Sequence, residues 1–292
     1  MRIELTEVTK RYGKVLALDR VSLDLPSGAR VALLGANGSG KTTLTRVLMG
    51  LVRHDGEVRL ADAPATQRRR LELAPRISYV PQIAPPWAAP VGEVVAAVAT
   101  LRHVPERQLA AAAARMDVDL AAVAHRPFRG LSGGTRQKVL IALALATNPD
   151  LAILDEPTAS LDAGARTRFF DLALEALGDA TVVLCSHRLD ELRTLVDHVV
   201  VLADGRVAWS GPAARYLADH VDAVIELRVT DGDDTWLRAN GFARTAGDWW
   251  RRAVNPAEKL AIVPSALREL GGRVCDLAVR DADRIATGAD HA

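Results

Sequence analysis

The sequence predicts an α/β chain, a parallel sheet interrupted by a helical insert and followed by a small α+β block. Three observations predict it. Ala29 to Leu34 is a nearly continuous apolar run ending at Gly35, as expected of a strand buried on both faces. Leu151 to Leu154 and Thr181 to Cys185 repeat that texture with a helix-length stretch between them, and such alternation builds parallel sheets. Between the first of these strands and the second lie Val91 to Leu101 and Glu106 to Met116, Ala-rich and helix-favouring.

The bulk numbers bound the possibilities. The 292 residues are 49% hydrophobic and 25% charged, enough for one large domain and a small one. A net charge of +1 gives no electrostatic case for a nucleic-acid partner, and none is expected. The run Arg68-Arg69-Arg70 reads as a solvated face. Two cysteines, Cys185 and Cys275, without CxxC spacing, argue against a disulfide framework or zinc site and fit a reducing compartment. The first residues alternate like a strand and lack the apolar stretch of a secretory signal. Ile83 to Leu101 is apolar but carries Pro85, Pro86, Pro90, Gly92 and Glu93. It reads as a Pro-rich loop followed by a helix and not as a membrane span.

In order along the chain, Ile3 to Val8, Val21 to Leu25 and Glu57 to Leu60 have strand length with turn residues nearby. Thr43 to Met49 reads as a helix. Gly133 and Gly134 precede a strong helix, Thr135 to Ala146, stopping near Asn148-Pro149. The helical insert is therefore set at roughly 83–148 within a domain of 1–220. His198 to Leu202 is a further strand, and Gly211-Pro212 is expected to begin the domain's last helix, through about Ala218. A second block, 222–286, reads as strand (Val224 to Val229), short helix (Trp236 to Asn240), strand (Asp248 to Val254), helix (within Pro256 to Leu270) and strand (Arg273 to Val279). Its residues encode no evident chemistry; Asp231-Gly232-Asp233-Asp234 reads as an acidic turn. The tail after Ala286 is expected to fray.

The chemistry begins at Gly35-Ala36-Asn37-Gly38-Ser39-Gly40-Lys41-Thr42, which fits G-x-x-x-x-G-K-[ST] in the required strand–loop–helix setting. Glycines let successive backbone N–H groups turn onto phosphate oxygens, and the helix dipole adds to them. Lys41 reaches the terminal phosphates, and the Thr42 hydroxyl is placed for Mg²⁺. The second half is Leu151-Ala152-Ile153-Leu154-Asp155-Glu156. Its apolar strand delivers two carboxylates to the sheet edge where ligands of open α/β sheets sit. Asp155 is suited to hold Mg²⁺ and Glu156 to orient or deprotonate the attacking water.

Those two pieces are shared by many nucleotide-binding proteins. Leu131-Ser132-Gly133-Gly134-Thr135-Arg136-Gln137 narrows the field, because it resembles the signature motif of the ABC (ATP-binding cassette) ATPases, with Thr135 where the usual form has glutamine. The other landmarks follow the family's order. Tyr12 resembles the aromatic that stacks on adenine, Gln82 the Q-loop glutamine, Ser160-Leu161-Asp162 the D-loop and His187 the switch histidine that contacts the γ-phosphate. The resemblance covers about 1–220. It implies a P-loop NTPase core with an inserted helical subdomain, and ATP and Mg²⁺ as cofactors. Residues 35–43 (including Thr43), Tyr12, Ser132, Gly133, Gly134 and Asp162 would bind nucleotide. Lys41, Gln82, Glu156 and His187 would be catalytic, and Thr42, Gln82 and Asp155 would hold the metal.

It also implies partners. Two copies would pair head to tail, each closing Ser132 and Gly134 over the other's ATP. The stroke would pass to a membrane permease on a separate chain near Gln82 and the helical insert. There Ile83 to Pro90, with Trp87, is either a docking surface or packed within the domain. The chain would then lie in the cytoplasm, peripheral on the membrane's inner face. Its length and small last domain resemble subunits of exporter-type permeases. Leu131 to Val139 resembles the copper-processing branch that supports nitrous oxide reductase maturation. The alternative is a non-transport ABC ATPase, for cluster assembly or as a regulatory module.

Overall fold

A computed structural model describes residues 1–186, 191, 194–219, 223–230, 232–245, 248–254 and 256–281. By contacts the chain divides into two compact units, Met1–Ala213 and Ala214–Ala292.

The first unit holds two sheets. One is antiparallel, with strands β1 (Ile3–Tyr12), β2 (Val15–Leu25), β4 (Asp55–Leu60) and β5 (Ala63–Pro64) in the order β2-β1-β4-β5. The other contains β3 (Arg30–Leu34), β6 (Ile77–Val80), β7 (Leu151–Asp155), β8 (Thr181–Cys185), β9 (His198–Ala203) and β10 (Arg206–Pro212), in the order β10-β9-β3-β8-β7-β6. It is parallel except for β10, which runs back along β9. The helices are α1 (Lys41–Leu48), α2 (Gln67–Leu73), α3 (Val91–Arg102), α4 (Glu106–Arg115), α5 (Leu120–Val123), α6 (Gly133–Leu145) and α7 (Ala163–Ala176). None of the described helices is long and apolar enough to cross a membrane.

The two-faced burial read from the apolar runs is literal. In β7, Leu151 and Ile153 enter one core while Ala152 and Leu154 enter another. Val183 and Cys185 of β8 join the first, and Val182 and Leu184 the second. The first core lies against the antiparallel sheet and α1. The second gathers the helical insert and α7, around the fully buried rings of Phe128 and Phe169. Burying a side chain of that size stabilises the fold by about 1.5–3 kcal/mol.

Two local expectations need correcting. The basic run lies on the short helix α2, and only Arg68 extends fully into solvent, paired with Glu72 four residues on. Arg70 turns inward, and its guanidinium donates to the Ala65 carbonyl at 3.0 Å and to the Leu48 carbonyl. It thereby covers the end of α1, whose last carbonyls lack helical partners. Gly211-Pro212 does not open a helix. Both residues complete β10, and the helix begins one residue later, as Ala213–Asp219. Proline is tolerated there because β10 is an edge strand.

The second unit runs strand, helix, two strands, helix, strand: β11 (Ala223–Val229), Thr235–Ala239, β12 (Ala243–Arg244), β13 (Trp249–Val254), Pro256–Leu270 and β14 (Val274–Asp281). Its sheet is antiparallel with the order β12-β13-β11-β14, a split β-α-β arrangement. Ile225, Leu227, Leu237, Trp250 and Ala266 form its core. On the sheet's other face Glu226 accepts from Arg251 and pairs with Arg280. Of the acidic turn, Asp233 accepts from the Thr235 backbone and Asp234 pairs with Arg273, so both carboxylates serve the turn itself.

Candidate functional site

The phosphate loop sits between β3 and α1, and its backbone explains its glycines. Gly35 has φ +143°, and a Cβ there would lie 2.2 Å from the Leu202 carbonyl oxygen. Gly40 has φ +108°, and a Cβ there would lie 2.6 Å from the Ala17 carbonyl oxygen. Only glycine adopts such angles with backbone so close. The loop rests on the β9–β10 turn, where the Gly205 N–H donates to the Ser39 carbonyl at 3.1 Å. The Lys41 ammonium curls over its own loop, 2.5 Å from the Gly35 carbonyl oxygen and 3.1 Å from that of Ala36. Ser39 is buried, and its hydroxyl has no hydrogen-bond partner among the described residues. A buried orphan hydroxyl costs about 1–3 kcal/mol, which makes this one a candidate to meet an outside acceptor or donor. Asn37, Gly38 and Thr42 are exposed along the same loop and helix start; Thr43 is half-buried.

The carboxylates arrive from β7. Asp155, at the strand's end, is half-buried between its neighbours. Burial first and the adjacent Glu156 charge second push its carboxyl up, opposed by Lys41 and by a hydrogen bond from the Tyr79 phenol. Burial first and the Asp155 carboxylate second push the Tyr79 phenol up to about 12. Glu156 follows with φ 42°, left-handed for a non-glycine residue, and its N–H donates to the Cys185 carbonyl at 2.7 Å. Strain of this kind costs of order 1–3 kcal/mol and persists where surrounding structure enforces it. Gln82 leaves β6 on the neighbouring strand, and its amide Nε2 donates to Glu156 Oε2 at 3.0 Å. Residues 74 positions apart thus meet in one hydrogen bond.

The signature residues belong to the start of α6. Ser132 is its N-cap, accepting from the Thr135 N–H at 3.1 Å, and its hydroxyl lies 2.7 Å from Thr135 Oγ1. Thr135 therefore completes the cap with a second hydroxyl, which gives its place in the motif a local physical reason. Gly133 and Gly134 form the first turn; a Cβ at Gly134 would lie 3.2 Å from the Ser160 carbonyl oxygen, so the D-loop is the signature's neighbour. Asp162 caps α7 by accepting from the Ala165 N–H at 2.8 Å, the main reason its carboxyl is held below the usual range. Tyr12 is 42% exposed at the end of β1, with the Lys10 ammonium 4.8 Å from its ring centre. His187 lies outside the described residues.

The depressed Asp162 pKa has a sign that can be tested. A carboxyl whose folded pKa is lowered stabilises the fold above the ordinary carboxylate value, and that contribution fades as pH falls through the folded value. Asp162→Asn keeps an acceptor but no charge. The parent should melt above the variant at neutral pH, and the gap should close below about pH 4. A gap independent of pH contradicts the assignment.

Two residues with no role assigned by sequence reasoning stand close by. Tyr79 holds Asp155, and Gln137 of α6 reaches the loops beside Gln82 and Glu156. Both act across long sequence separations, which leave no local signal.

Residues 18–159 match the family model described as ABC transporter. Over 230 residues the chain is 36% identical to the nickel import ATP-binding protein NikO of Rhodobacter capsulatus, covering 74% of this chain and 91% of that protein. The chain belongs to the ABC transporter family. It is 38% identical over 209 residues to the aliphatic sulfonates import ATP-binding protein SsuB 2 of Pseudomonas syringae pv. syringae, covering 70% and 71% of the two chains. Its fold superposes on the dimeric bacterial ABC transporter cassette MJ0796 with a TM-score of 0.64 at 25% identity, covering 72% of this chain and 98% of that one. The chain is an ATP-binding subunit of such a transporter, an ATPase whose hydrolysis is coupled to transport through a membrane permease.

Proposed function

We propose that this ABC subunit hydrolyses ATP with Glu156 as the base and Gln82 as the residue that aligns the attacking water. The hydrogen bond between Gln82 Nε2 and Glu156 Oε2 carries the reading, because it sets both groups at the end of β7, next to Asp155, whose carboxyl feels the Lys41 charge. A general base must sit within hydrogen-bond reach of the water it activates, and the carboxylate of Glu156 is the group that would take that water's proton. Lys41 would exchange its loop carbonyls for phosphate oxygens, and the orphan Ser39 hydroxyl would find its partner there. Residues 35–43 form the cradle, and Tyr12 offers the adenine a ring face.

The donor set fits Mg²⁺. The Asp155 carboxylate, the Thr42 hydroxyl and the Gln82 amide oxygen are hard oxygen ligands, and the two crowded carboxylates of Asp155 and Glu156 are what a cation relieves. Bound there, the ion would supply neutralisation of the negative charge on the terminal phosphates. His187 would contact the γ-phosphate from the segment after β8. Ser132, Gly133, Gly134 and Asp162 complete the site of a second copy, head to tail. Such a pair has two equivalent sites related by a two-fold axis. The 1–220 domain does this work, with the insert of 83–148 facing the permease and residues 222–286 as an accessory domain. The chain would then be peripheral on the inner face of the membrane.

The permease is the finer part of the proposal. Leu131 to Val139 and the small second unit favour an exporter-type permease of the copper-processing branch. The nickel and sulfonate import relatives favour an import permease. Gentle solubilisation of native membranes, with this chain as bait, separates them. A multi-span permease beside a periplasmic copper-handling protein supports the first. A permease with a nickel- or sulfonate-binding protein replaces it with the second. A set of soluble partners only overturns both.

A further inference from the structure

Gln137 is 1% exposed, on the buried side of α6 little more than one turn after the signature cap Ser132. Its amide Nε2 donates at 3.0 Å to the Pro81 carbonyl and at 3.2 Å to the Pro157 carbonyl. Both partners are acceptors only, so the chemistry fixes which end of the amide faces them. Pro81 immediately precedes Gln82, and Pro157 immediately follows Glu156. One buried NH₂ group therefore clips the two loops whose side chains meet at 3.0 Å.

We propose that Gln137 is a positioning residue for hydrolysis, fixing the spacing of Gln82 and Glu156 through the carbonyls of Pro81 and Pro157. This rests on the roles given above to Gln82 and Glu156. The physical need is specific. The Glu156 backbone is in the left-handed region, and Pro81 and Pro157 lie just beyond the paired residues of β6 and β7. Among the described residues no ladder bond holds either carbonyl, and the two hydrogens of one rigid amide hold them together. Because α6 begins at the signature, closure on Ser132 and Gly134 by a partner's nucleotide bears on the same rigid element that carries the clip.

Gln137→Met keeps length and volume and removes both N–H donors. Steady-state ATPase of the full chain should show kcat lower by about tenfold or more with KM for ATP within about twofold, the pattern of lost alignment and not of lost binding. Combined with Gln82→Ala, the loss should be smaller than the product of the two single losses, because both act on one arrangement. If Gln137→Met does not fold, Gln137→His keeps one N–H donor and should fall between parent and the tenfold loss. Parental kcat, a raised KM at unchanged kcat, or multiplicative losses in the cycle overturn the proposal. Glu156→Gln measured alongside separates two failures. If it is inactive while Gln137→Met is fully active, only the Gln137 role falls. If it hydrolyses at the parental rate, the catalytic reading itself falls.

Discussion

Glu156→Gln should bind ATP as tightly as the parent, or more tightly, and turn it over about 10²- to 10⁴-fold more slowly. The rate loss corresponds to about 3–5 kcal/mol on the barrier. The variant keeps the shape and an oxygen for the Gln82 amide, so the hydrogen bond that aligns the loops survives. What goes is the negative charge that accepts a proton from water. That charge is also the second cause of the raised Asp155 pKa, after burial. Removing it relieves repulsion at the point where a triphosphate must approach, which is why affinity should not fall. Single-turnover hydrolysis and equilibrium nucleotide binding read the two effects separately. Turnover at the parental rate would remove Glu156 from the reaction.

Lys41→Ala should weaken nucleotide binding by roughly 10- to 100-fold, the loss of a charge-assisted contact of about 1.5–3 kcal/mol. The loop itself should survive. Its shape is set by the backbone at Gly35 and Gly40, by the Ser39 N–H to Ala36 carbonyl bond of 3.1 Å and by the Gly205 bond to Ser39. The ammonium satisfies two loop carbonyls that are partly open to water, so its removal leaves no buried orphan. Equilibrium binding of a fluorescent ATP analogue, with thermal unfolding as the control, checks this. Unchanged affinity in a folded variant would contradict the phosphate-loop assignment.

The parts of the fold legible in sequence are those with a strong period. β3, β7 and β8 are apolar on both faces because cores press on both, and no polar pattern confuses the reading. β1 was legible only to Val8. Its register shifts at Leu5/Val8, Val8/Lys10 and Lys10/Arg11, and each irregularity breaks the two-residue alternation that marks a strand. Arg70 looked like solvated charge because sequence does not show that its head group covers the end of a helix. β10 was masked by Pro212, which reads as a helix start until its edge position is known.

The site divides along similar lines. Lys41, Asp155, Glu156, Gln82 and Ser132 carry motif spacing, and the structure brings Gln82 to Glu156 as one contact. Tyr79 carries none, and Gln137, the last residue of the signature stretch, has no role there that its position in the motif reveals. Their value lies in hydrogen bonds that exist only once β6, β7 and α6 have packed, so nothing in the neighbouring residues announces them.

Ser132 and Gly134 of one copy should close over ATP on another's phosphate loop. The mass of Glu156→Gln in solution, with and without Mg-ATP, tests it most directly. A second substitution, Ser132→Asp, keeps a good helix cap but sets a negative charge against the triphosphate. Glu156→Gln should go from one copy to two when Mg-ATP is added. The double variant should stay single while still binding nucleotide. A mass that does not respond to ATP, or pairing that survives Ser132→Asp, would contradict it.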